Sequence, residues 1–63
     1  MIQLTRLNKD AFYVNCELIE FMEEMPNAVI SMASGRKILV RESCEQVKQR
    51  VVEYKREIMS QQS

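Results

Sequence analysis

Ala28-Val29-Ile30-Ser31-Met32-Ala33-Ser34-Gly35-Arg36-Lys37-Ile38-Leu39-Val40-Arg41 is the stretch whose reading decides the fold. Two apolar runs rich in β-branched residues flank Ser34-Gly35, where the chain has its one glycine. Glycine accepts the positive φ of tight hairpin turns, so the stretch predicts a β-hairpin that turns at Gly35. Alternation within the second run sets Leu39 on the opposite face from Ile38 and Val40. That run leads into Ser43-Cys44-Glu45-Gln46, a capping box with serine at the cap and glutamine three residues on. Cys44, Val47, Val51, Tyr54 and Ile58 then recur at steps of three and four, the period of an amphipathic helix. A helix closing over a small sheet is the expected result.

Upstream of the hairpin, Ile2 and Leu4 alternate with Gln3 and Thr5 as in a half-buried strand. Asn8-Lys9-Asp10 supplies turn residues, and Phe12 and Val14 resume the alternation until Asn15. The segment 16–25 reads two ways. Leu18, Ile19 and Met22 fit one face of a short helix, whereas Ile19, Phe21 and Glu23 alternate as on a strand. The preferred reading is a brief turn at Cys16-Glu17-Leu18, a strand from Ile19 to Met25, and a turn at Pro26-Asn27 that continues an antiparallel meander. The expected fold class is therefore α+β: a small antiparallel sheet of four to five short strands over about 1–41, then one C-terminal helix over about 43–59. Residues 1–59 form a single small domain in this reading, and 60–63 a disordered polar tail.

Composition narrows the function. Nine basic and nine acidic side chains balance, leaving no net field to draw in nucleic acid, so DNA is not an expected partner. With no histidine there is no Cys/His nucleophile and no zinc-site spacing, and one glycine makes no phosphate-cradling loop. No paired-carboxylate site is supported by the glutamates at 17, 20, 23 and 24, which read as a solvated face. No enzyme activity, metal or cofactor is expected. Cys16 and Cys44 read as free thiols of a cytoplasmic protein, and the place of Cys44 at a helix N-terminus is expected to lower its pKa. No apolar run approaches the roughly 18 residues of a membrane span.

A chain this short gains barely more from apolar burial than it loses in chain entropy. Leu39, Val52 and Met59 fall off the core-facing positions, and this apolar surplus points to a homo-oligomer with those three as candidate contacts. Arg6, Arg36, Arg41, Lys55 and Arg56 are the candidate surface for another partner; four of these five cations are guanidinium groups, which are favoured at interfaces.

Order and spacing of short motifs add a resemblance. They run Ile2-Gln3-Leu4-Thr5-Arg6-Leu7-Asn8, Phe12-Tyr13-Val14-Asn15, Leu18-Ile19-Glu20, Pro26-Asn27-Ala28-Val29-Ile30-Ser31-Met32, Gly35-Arg36-Lys37, Val40-Arg41-Glu42-Ser43 and Glu53-Tyr54-Lys55-Arg56. From Met1 to about Ile58 the chain resembles the FlbD family of small flagellar proteins, also called SwrD-type swarming motility proteins. The resemblance implies a non-enzymatic role in flagellar motility, with support of motor or stator power as the better-known part. It also makes recurring family positions of Leu4, Thr5, Arg6, Leu7, Asn8, Asn15, Gly35, Glu42, Tyr54 and Lys55. Ala28 stands where the family often has a polar residue, and Ala33-Ser34-Gly35 replaces its more usual Thr-Asn-Gly. Met1-Ile2-Gln3-Leu4-Thr5-Arg6 and Val40-Arg41-Glu42 also look like the carbon-storage-regulator family, an RNA-binding domain-swapped dimer in which Arg6 and Arg41 would contact RNA loops. That alternative lacks its turn glycine at Asn8-Lys9-Asp10, and the neutral net charge disfavours RNA.

Overall fold

The computed structural model describes residues 1–61 of the chain. Five strands precede one helix: β1 (Ile2–Thr5), β2 (Ala11–Val14), β3 (Ile19–Glu24), β4 (Ala28–Met32), β5 (Lys37–Val40) and α1 (Cys44–Gln61). A single 3₁₀ turn, Cys16–Leu18, links β2 to β3. Segment 16–25 thus takes its turn-then-strand form, with the strand ending at Glu24. Asn15 starts the turn by accepting the Glu17 N–H on its side-chain oxygen at 3.1 Å. Strand pairing then wins over the helical alternative because it sets half-buried Met22 opposite Ile30 and against the core.

The strands form two antiparallel ladders, β1–β2 and β3–β4–β5, joined by one bridge between Arg6 and Val40. Both outer hairpins turn in the same way. In the first, the Lys9 N–H donates to the Arg6 carbonyl and the Arg6 N–H to the Asp10 carbonyl. In the second, the Gly35 N–H donates to the Met32 carbonyl and the Met32 N–H to the Arg36 carbonyl. Each is a turn closed by a left-handed residue that bulges the strand. Gly35 holds φ +94° there, as expected, and Lys9 holds φ +78° in the matching position.

Side chains of the inward positions make one core: Ile2, Leu4, Val14, Ala28, Ile30, Ile38, Val40 and Val47. Leu39 faces out between buried Ile38 and Val40. On α1 the expected stripe is the inward face, with Val47 fully buried and Cys44, Val51, Tyr54 and Ile58 half-buried. The helix lies against β1 and β3 and continues past Met59 to Gln61. Of the tail expected at 60–63, Gln62 and Ser63 lie outside the described residues.

Candidate functional site

In an antiparallel pair, residues alternate between exchanging hydrogen bonds with the opposite strand and pointing them away. The Arg6–Asp10 bond therefore turns the N–H and C=O of Thr5 and Gln3 away from β2. Those outward groups find partners far along the chain. The Thr5 carbonyl accepts the Arg41 N–H at 2.8 Å. The Thr5 N–H donates to Glu42 Oε1 at 2.9 Å, and its hydroxyl donates to Glu42 Oε2 at 2.9 Å. Arg50 Nη1 donates to the Gln3 carbonyl at 2.8 Å, while its Nη2 lies 3.8 Å from Glu42 Oε2. The Arg41 N–H and the side chains of Glu42, just before α1, and of Arg50, on it, thus cover the edge of β1 that faces away from β2.

Glu42 is the one buried ionisable side chain among the described residues. Burial pushes its carboxyl up, but the Thr5 N–H, the Thr5 hydroxyl, its own backbone N–H and the Arg50 charge outweigh that and hold it below its ordinary value. This arrangement fastens an edge. Thr5 and Glu42 are two of the recurring positions named above, and the structure brings them together.

Cys44 corrects an expectation. Burial first, then the Glu24 carboxylate, push its thiol up, not down. Glu24 Oε1 accepts the Cys44 N–H at 2.7 Å and so places a negative charge where the helix would otherwise have favoured a thiolate. Cys16 and Cys44 are both free and half-buried. Among the described residues no three His, Cys, Asp or Glu side chains converge as metal ligands would, and no helix is long and apolar enough to cross a membrane.

The five candidate cations part company. Arg6 and Arg36 line one groove of about 510 Å³, together with Phe12, Tyr13, Leu18 and Met32, above a floor of Val14 and Ile38. Arg6 stacks its guanidinium over the Phe12 ring, 4.4 Å from the centroid. No Asp or Glu lines this groove, and no residue of α1 does. Arg41 lies just past the end of β5, is exposed, and does not line this groove. Lys55 pairs with Glu17 at 3.4 Å on the surface, and Arg56 is exposed on α1.

Leu39, Val52 and Met59 are all exposed, as their positions off the core-facing pattern implied. Val52 lines a depression of about 300 Å³ with Phe21 and Lys48, between α1 and β3, which neither Leu39 nor Met59 joins. The groove itself escaped the sequence reading. Alternation puts Ile2, Leu4 and Arg6 on one face of β1, and Arg36, Ile38 and Val40 on one face of β5, but it does not say that the two rows meet.

No curated protein and no solved structure matches the chain. A family model does, over residues 1–59, and so takes in both hairpins, the Thr5–Glu42 latch, the groove and most of α1. The chain belongs to the FlbD family of flagellar and swarming motility proteins.

Proposed function

We propose that this protein is a cytoplasmic, non-enzymatic accessory of the flagellum that supports motor or stator output by direct protein–protein contact. Membership of a motility family over residues 1–59 carries the reading. The built features support it in kind: the buried carboxylate serves an edge, the helix-end thiol is disfavoured as a thiolate, and the exposed features are a basic groove and scattered apolar side chains. These are means of contact. Deletion of the gene in the source bacterium tests the reading, with swarming, filament number and swimming torque scored together. Loss of swarming and torque with filaments present is the expected outcome. Loss of filaments would move the role to assembly or expression, and unchanged motility would sink it.

The RNA-binding alternative draws one favourable observation, since the Arg41 N–H and the Thr5 carbonyl join the chain segments that carry Arg6 and Arg41. Arg41 nonetheless does not line the groove that Arg6 shares with Arg36, and the neutral net charge gives little to hold RNA.

A further inference from the structure

Building on the reading of a contact-acting motility protein, we infer that the groove between β2 and the β4–β5 hairpin receives an extended acidic segment of a partner protein, which adds to the free edge of β2 and meets Arg6 and Arg36.

Three features argue for this occupant. The first is charge. The chain as a whole is neutral, yet this groove carries two guanidiniums and no carboxylate. The Arg6 guanidinium sits over the Phe12 ring, and its N–H donors make no side-chain hydrogen bond or ion pair among the described residues. Arg36 is exposed and makes no side-chain hydrogen bond or ion pair among the described residues.

The second is backbone. The alternation that turns Thr5 and Gln3 away from β2 likewise turns Ala11 and Tyr13 away from β1. Among the described residues their outward groups meet no other strand, whereas those of β1 are covered by Glu42, Arg41 and Arg50. The protein therefore shields one edge of its first hairpin and leaves the other open beside the groove. An extended peptide satisfies such an edge by adding a strand.

The third is the floor. Val14 and Ile38 are core residues that reach the groove from below, so the alternate side chains of an added strand find apolar contact while their neighbours carry charge. Nucleic acid fits less well. Two cations on an apolar floor neutralise few phosphates, and Arg41 does not line the groove.

Fluorescence anisotropy on the full chain tests the proposal with three labelled probes: a short peptide alternating glutamate and valine, its lysine–valine counterpart, and oligouridylate. The glutamate peptide should bind, more weakly as salt rises, and the lysine peptide should not. Arg6→Gln and Arg36→Gln should each weaken binding about tenfold, while Lys48→Gln, at the other depression, leaves it unchanged. Arg6 packs on Phe12 and its loss can disturb the fold, so Arg36→Gln, at an exposed position, is the decisive variant, checked by circular dichroism. Failure of the folded protein to bind the glutamate peptide overturns the proposal. So does equal binding by Arg36→Gln, or tighter binding of oligouridylate. Dissociation of a self-associated form by the glutamate peptide would assign the groove to a second copy of this chain and likewise overturn a foreign partner. In cells, normal swarming by Arg36→Gln where the deletion cannot swarm would sink the groove alone. Normal motility of the deletion would sink the functional reading, with the peptide result standing or falling by itself.

Discussion

Lys9 and Gly35 do the same job in the two hairpins, one with a β-carbon and one without. A side chain in the left-handed region costs about 1–2 kcal/mol, more than the roughly 0.5–1 kcal/mol of chain entropy that a glycine adds to the unfolded state. Lys9→Gly should therefore stabilise the protein by up to about 1 kcal/mol, read as a higher urea midpoint at unchanged slope. Gly35→Ala should destabilise it by about 1–2 kcal/mol. A β-carbon there would meet nothing within 4 Å, so the whole effect belongs to the backbone. Glu42 makes a second prediction, about acid. Its folded carboxyl holds a proton less readily than the ordinary value of 4.5. Between the folded and unfolded values the unfolded chain binds more protons, so acid favours unfolding. The stabilisation is complete above the ordinary value and is lost as pH falls through the folded one. Glu42→Gln should cost about 1–3 kcal/mol near neutrality by removing the charge that the Thr5 N–H and Arg50 meet, and should flatten the acid limb of the stability–pH curve. An unchanged acid limb would mean that other carboxylates govern it.

Elements show where sequence reading succeeds and where it stops. The helix start was legible because its partners are neighbours: the Ser43 N–H donates to Gln46 Oε1 at 2.9 Å, and the Gln46 N–H donates to Ser43 Oγ at 3.1 Å. Ser43→Ala should cost about 1 kcal/mol, seen in urea titrations followed at the helix signal. The turn at Gly35 was legible for the same reason, and the strands by their alternation. The cover of β1 was not, because Thr5 and Glu42 are 37 residues apart and Gln3 and Arg50 are 47 apart. Distance along the chain also hid the thiol shift: Glu24 comes to Cys44 from 20 residues upstream, and local logic alone sees only the helix end. The groove was half legible. Arg6 and Arg36 were both singled out, but their meeting depends on how two ladders bend around one core, which no period in either strand encodes.

At the scale of the whole molecule, α1 sets the proportions. Its 18 residues span about 27 Å, and the chain measures 39 × 23 × 18 Å, with a radius of gyration of 12.0 Å. A rounded domain of this length would have a radius of about 11 Å. Far along the helix, Met59 is 71% exposed. We propose that the apolar surplus at Leu39, Val52 and Met59 is covered by self-association. Light scattering at micromolar concentration should then read a mass above the 7.4 kDa of one chain. Val52→Glu, beside exposed Phe21, should return it to that mass with the helix signal intact. A folded monomer in the unaltered protein would remove the proposal.

The cover on β1 also bears on how the chain is born. β1 is made before the helix, and the guanidinium that caps its Gln3 carbonyl is synthesised 47 residues later. At about 5–20 residues per second, that strand waits on the order of several seconds before its last hydrogen bond exists. The first hairpin can form early as a local unit, but its edge stays open until the start of the helix arrives. The Glu42 carboxylate just before α1 and the Arg50 guanidinium on it therefore act as a completion signal: a chain interrupted before residue 50 carries an incompletely covered strand edge, a surface suited to capture by chaperones or to pairing with its own kind.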